Sequence, residues 1–197
     1  MRKVLLGFAL AMLSMGAQAT GLELALSNKT ANLALLINPY QFKMGGGSEL
    51  ALGGFINEDG DNLAHATLMA RGYRQTVRSQ YNLGAGMKLV AGDLDVDTQG
   101  ISDSESVGAL ALGFQMGVLL NPSRLNPVEL TFEGFLAPKI TSFADAESFS
   151  ELGARLQVEV IPQAKAYVGY RRMKFDTNDY DNVNLDQSIH LGIKLTF

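Results

Sequence analysis

From Thr20 to Phe197, apolar and polar residues alternate with a period of two in stretch after stretch, and no helical period is sustained. That pattern demands strands with two chemically different faces. At the C-terminus Ile189, Leu191, Ile193, Leu195 and Phe197 share one face, and Ser188, His190, Gly192, Lys194 and Thr196 share the other. Leu152, Ala154, Leu156, Val158 and Val160 likewise oppose Glu151, Gly153, Arg155, Gln157 and Glu159. Leu110, Leu112, Phe114, Met116 and Val118 form a third apolar row, opposite the small residues Ala109, Ala111, Gly113 and Gly117. Ten candidate strands follow, near 21–27, 31–37, 47–57, 62–73, 79–92, 105–119, 127–137, 149–161, 164–175 and 185–197. The first two are short, and fusing them would leave eight.

The N-terminus places Arg2 and Lys3 before an apolar stretch from Val4 to Met15, followed by Ala17-Gln18-Ala19. This is the layout of a secretory signal cut after Ala19, and it falls short of the roughly 20 apolar residues of a spanning helix. Residues 20–197 then form one domain, with no further apolar segment long enough to span as a helix. Insertion in a membrane must use strands. Removing Arg2 and Lys3 from a formal charge of -4 leaves about -6, which argues against a nucleic-acid partner. The chain has no Cys, so a closed hydrogen-bonded barrel is the device expected to hold it together. The expected fold is all-β, a single antiparallel up-and-down transmembrane β-barrel in the outer membrane, with an apolar face toward lipid and a polar lumen.

The connections alternate in charge. The segments 57–62, 93–105, 138–148 and 176–184 hold thirteen of the twenty carboxylates, whereas the others carry Lys43, Arg74, Arg78 and Arg124. An even strand number puts both termini on one side, so counting back from a periplasmic C-terminus sends the acidic set outside. Tyr40, Phe42, Tyr73, Tyr81 and Phe197 fall near one end of the strands, and Phe55, Phe149 and Phe175 near the other, as two interfacial girdles require.

The run Ile189-His190-Leu191-Gly192-Ile193-Lys194-Leu195-Thr196-Phe197 resembles the terminal strand by which outer-membrane barrels are recognised for assembly. The resemblance makes Ile193, Leu195 and Phe197 an assembly signal, with Leu195 standing where many such strands carry a second aromatic. Ala166-Tyr167-Val168-Gly169-Tyr170-Arg171 and Val107-Gly108-Ala109-Leu110-Ala111-Leu112-Gly113 resemble the YfaZ-type family of exported bacterial proteins. That likeness implies an outer-membrane barrel and no established activity.

The polar faces collect Glu129 and Glu133 on one strand, Glu151, Arg155 and Glu159 on the next, and Lys165, Tyr167 and Arg171 on the one after. A small barrel has room for little more than its own side chains, so Glu133, Arg155 and Arg171 are expected to pair and fill the lumen rather than form a selectivity filter. Asp93-Leu94-Asp95-Val96-Asp97 opens like a calcium loop, but Thr98 and Ser104 stand where Gly and Glu are needed. A solvated acidic loop is the better reading. Ser188 and His190, with Asp186, share a face as in lipid-modifying outer-membrane hydrolases, yet in the opposite order and directed at the lumen. His65 has no Cys or second His with which to build a metal site. Asn28-Lys29-Thr30 matches a glycosylation pattern that means little in a bacterial exported chain. No catalytic, metal or cofactor site is therefore expected.

The sequence points to a structural or surface-exposed membrane component with a largely closed, charge-filled lumen. Its expected partners are outer-membrane lipid, lipopolysaccharide and the barrel-assembly machinery. The alternatives are a narrow channel for ions or small solutes and, more remotely, a lipid-modifying hydrolase. A soluble exported barrel would carry the reverse pattern, apolar inside and polar outside.

Overall fold

The computed structural model describes residues 20–41, 46–76, 78–98, 101–120, 126–180 and 182–197. Residues 1–19, expected to be the signal, lie outside the described residues, as do Phe42, Lys43 and Arg124. Eleven strands form: β1 (Gly21–Leu26), β2 (Thr30–Gln41), β3 (Gly46–Asn57), β4 (Asn62–Gln75), β5 (Ser79–Thr98), β6 (Ile101–Leu120), β7 (Val128–Ala137), β8 (Ser142–Ala144), β9 (Ala146–Ile161), β10 (Ala164–Thr177) and β11 (Val183–Thr196).

Every pairing is antiparallel, and the sheet closes where β1 meets β11, Gly21 facing Thr196 and Leu26 facing Leu191. β7 and β8 occupy one place in the wall: β7 pairs with β6 over Leu112–Leu120, and β8 resumes over Val107–Ala109. The barrel therefore has ten positions, and the two short N-terminal segments are separate strands. Pro138 explains the interruption, because it has no N–H to donate to the ladder. The chain instead makes a 3-10 turn over Lys139–Thr141, whose Thr141 N–H donates to Pro138 O at 2.9 Å. Ile140 is left projecting, 89% exposed.

Thr20 and Phe197 lie at one end, where the Phe197 N–H donates to Thr20 O at 2.9 Å. We call this the terminal end and the opposite one the far end. Around the terminal half and the middle, the outward rows are the apolar ones read from sequence: Leu83, Met87 and Leu89 on β5, Leu112, Phe114 and Met116 on β6, and Leu191 and Ile193 on β11 are all exposed. Leu112 reaches 68% exposure, a value that only a lipid surroundings makes comfortable.

Toward the far end the pattern inverts. On β10, Arg172 is exposed and Lys174 and Asp176 are half-buried, while Met173 and Phe175 face inward and are buried. On β5, Asp93 and Asp95 are exposed and Leu94 is 0% exposed. Phe55, Leu63, Val90, Leu94, Val107, Phe135, Phe149, Phe175 and Leu185 belong to one buried apolar cluster, with Phe149 and Phe175 rings 4.8 Å apart between centroids. The far half is thus built like a water-soluble barrel on top of a membrane-type one.

This inversion corrects the expectation of an outer aromatic girdle at Phe55, Phe149 and Phe175: all three are interior, at 2%, 1% and 0% exposure. Strand parity requires it. Phe149 shares the face of Glu151 and Arg155, and Phe175 that of Arg171. At the terminal end Tyr73, Tyr81 and Phe197 are exposed, and the Tyr40 side chain lies outside the described residues. The inversion also accounts for the lengths of β5 and β6, 20 residues each, since residues expected in an acidic connection continue the ladder to Thr98 and Ile101.

Candidate functional site

Alternate residues of each strand project into the barrel, and in the terminal half many of these are ionic. Nearest the terminal end, Glu129 accepts from Asn82 Nδ2 at 2.7 Å and from Gln157 Nε2, with Lys165 Nζ 3.8 Å away. One layer deeper, Arg155 donates through Nη1 to Glu23 at 2.9 Å and through Nη2 to Glu133 at 3.4 Å. The Tyr167 hydroxyl donates to the same Glu23 oxygen at 2.8 Å. Glu49 holds Arg71 at 2.9 Å and Lys194 at 2.7 Å, one on each oxygen.

Several of these bonds are chords across the interior. β9 and β1 stand three places apart in the wall, as do β11 and β3, so Arg155–Glu23 and Lys194–Glu49 bridge non-neighbouring strands. Long side chains can meet in this way only because the barrel is narrow. The Lys88–Glu151 pair, 2.5 Å long, is a third such chord, from β5 to β9, and its members are 10% and 5% exposed. It lies where the ionic and apolar halves meet, with Lys88 Nζ 5.4 Å from the Phe135 ring centroid. The small inner face of β6 makes the room. A Cβ on Gly113 would come within 2.2 Å of the Phe135 ring, so only glycine seats that ring.

Glu129, Glu133, Glu151, Arg155, Lys165 and Arg171 therefore all carry interior ion pairs. Glu159 sits on the same face at the terminal end, its carbonyl accepting from Asn126 Nδ2 at 2.8 Å, and its carboxylate makes no ion pair among the described residues. One expected pairing is corrected. Arg171 binds Asp186, through Nε at 2.7 Å and Nη2 at 2.6 Å, instead of Glu133. Gly153 separates Glu133 from Arg171 in the register, and an irregularity of β11 beside Met173 leaves both Leu185 and Asp186 buried. Glu23, Glu49 and Arg71 were not singled out from sequence, because β1, β3 and β4 show weaker alternation. Parity with Ala25, Ala51 and Met69 was the available signal.

The other candidates also have places. The Ser188 hydroxyl donates to Asp186 Oδ1 at 2.5 Å, so its proton is directed at the carboxylate and not at His190. His190 packs edge-on against Tyr167, 5.9 Å between centroids, and its Nδ1 is buried without a hydrogen-bond partner. His65 Nε2 lies 2.9 Å from Asn32 Oδ1. Asp93 and Asp95 stand in β5 rather than in a loop, and the Asp97 side chain lies outside the described residues. Among the described residues no group of three or more His, Cys, Asp or Glu is disposed to hold a metal ion.

Between these layers lies a cavity of about 110 Å³. Its lining includes four cations, Arg71, Lys88, Arg155 and Arg171, and four carboxylates, Glu23, Glu49, Glu133 and Glu151. The apolar cluster closes it toward the far end through Phe135, which belongs to both.

No curated protein matches the chain. Among solved structures it is similar to one described as "NanC porin structure in rhombohedral crystal form", at 10% identity, with 91% of this chain and 95% of that one covered and a TM-score of 0.43. It is also similar to one described as "CymD monoaromatic hydrocarbon channel", at 11% identity, with 90% of this chain and 65% of that one covered and a TM-score of 0.34. The model of a family described as YfaZ precursor matches residues 1–197. A closed antiparallel barrel with an apolar belt is an outer-membrane protein, and with its whole length matched this chain belongs to the YfaZ precursor family.

Proposed function

We propose that the protein is a structural, surface-exposed component of the outer membrane whose interior does not conduct. The observation that carries this reading is the apolar cluster of the far half, in which Phe149, Phe175, Val90 and Leu94 are essentially without solvent exposure. A water column cannot pass through side chains packed to that degree. The cross-lumen chords of Arg155, Lys194 and Lys88 supply the charge-filled remainder of a closed lumen. Catalysis is no part of this reading, since the Ser188 proton is committed to Asp186.

The partners that fit are lipid against the apolar belt, lipopolysaccharide around the far end, and the assembly machinery on the outward row Ile193, Leu195 and Phe197. Planar-bilayer recording of the refolded protein tests the main claim. Silence is expected, and steady unitary currents would overturn it. The narrow-channel reading is second, and the mid-barrel cavity with its balanced charges favours it. It requires Phe135 and the aromatic rings behind it to move aside.

A further inference from the structure

One row of residues runs across a wall of the cavity. Arg71, Gly84, Gln115, Glu133, Gly153 and Arg171 face one another in register across β4, β5, β6, β7, β9 and β10. Two of these six positions are glycines, and neighbouring side chains lie over them: Arg71 and Met69 beside Gly84, and Glu133 beside Gly153. Arg71 and Glu133 are the most exposed of the cavity's ion-paired side chains, each at 27%. Both also have spare capacity. Among the described residues Arg71 meets Glu49 through Nη2 alone. Glu133 serves Gln115 and Arg155 with the single oxygen Oε2.

Charge balance sets what such a cavity accepts. A bare anion would face Glu23, Glu49, Glu133 and Glu151, and a bare cation would face Arg71, Lys88, Arg155 and Arg171. In a narrow, low-dielectric interior either is repelled by half of the wall. A net-neutral solute carrying both signs satisfies both halves. At about 30 Å³ per water the cavity of about 110 Å³ holds roughly four waters, which suits a solute of about five heavy atoms.

We propose that this cavity binds a small zwitterion of the amino-acid class, its carboxylate toward Arg71 and its ammonium toward Glu133. The proposal does not depend on whether the far end conducts, so bilayer currents and binding can fail separately. Saturation-transfer NMR on the refolded barrel in detergent, using glycine, acetate, methylammonium and glycerol as probes, tests it. Glycine is expected to bind at least tenfold more tightly than the other three. Glu133→Gln should weaken glycine at least tenfold without weakening acetate, and Ala51→Phe, which fills the cavity from β3 without removing a charge, should abolish glycine binding. Heat-modifiable migration confirms that each variant is folded. Where one variant does not fold, the ranking of the four probes on the native protein still decides. Equal binding of glycine and glycerol, acetate binding as tight as glycine, no glycine binding at all, or glycine binding indifferent to Ala51→Phe would each overturn the site.

Discussion

Lys88 and Glu151 show what single residues contribute inside this barrel. Both are nearly buried, and each is the other's charge partner. Lys88→Met or Glu151→Gln should therefore cost about 3–5 kcal/mol, because the surviving charge is stranded in a poorly solvated place. The double variant should cost less than the sum, since both charges leave together. Urea midpoints of the refolded proteins measure this, and small, additive losses would mean that water screens the pair. At the far end Asp61 behaves differently. Burial raises its carboxyl above the ordinary 3.8, while the Asp95 N–H at 2.8 Å and Asn57 Nδ2 at 2.7 Å favour its charged form without cancelling that effect. A carboxyl raised on folding opposes the fold above its folded pKa, and the opposition vanishes below the unfolded value. As pH falls through that window, the native protein should gain stability relative to Asp61→Asn. A flat or opposite difference in unfolding midpoints across mild acid would contradict it. Such partnerships were not legible in the sequence. Parity places Arg155 and Arg171 inside, but which carboxylate each meets depends on how the closed wall brings β9 across to β1, and on the irregular backbone that buries Asp186.

Strands were the most legible level, because the lipid belt imposes an outward apolar row on most of them. Leu112→Arg and Leu156→Arg should each cost about 2–4 kcal/mol near the bilayer midplane and lower the yield of heat-modifiable barrel. Normal yield of both would refute the outward assignment. The same logic misled at the far end, where there is no lipid to impose apolar-outside. Asp93-Leu94-Asp95 still alternates there, but with the faces exchanged: Leu94 packs inside and the aspartates meet water. Read as a loop motif it has no function, and read as a strand it is ordinary. Phe149→Ala discriminates between the two readings of the aromatics. As a core residue it should cost about 3–5 kcal/mol, whereas an interfacial girdle residue would cost much less. The break between β7 and β8 is set by Pro138, and the strand expected over 127–137 ends at it. The brief return of the chain as β8 was not legible, because three residues carry too little pattern to read. There Phe143 lies over Gly108, whose absent Cβ would come within 2.0 Å of that ring, a cross-strand aromatic covering a glycine.

For the whole molecule, the remaining question is which end faces out. Thr20 and Phe197 share an end, and β11, which finishes there, is the strand resembling an assembly signal, so that end is assigned to the periplasm. The charges point the same way independently. Glu58, Asp59, Asp145, Glu147 and Asp179 cluster at the far end, whereas Arg74 and Arg78 sit at the terminal end. The inverted far half gives a third argument. A stretch of wall that shows water its polar face and buries aromatics must stand clear of the bilayer, and β5 and β6, at 20 residues each, are long enough to do so. Asn178→Cys lies in the exposed far-end turn after β10, and Gln163→Cys in the exposed terminal-end turn before it. The chain has no native Cys to confuse the readout. On intact cells, a membrane-impermeant thiol reagent should label the first and spare the second, and both should react once the outer membrane is permeabilised. Labelling of Gln163→Cys alone on intact cells would reverse the orientation. Lack of reaction at Asn178→Cys even after permeabilisation would mean that the far-end turn is covered, and with it the surface exposure proposed for the protein would fall.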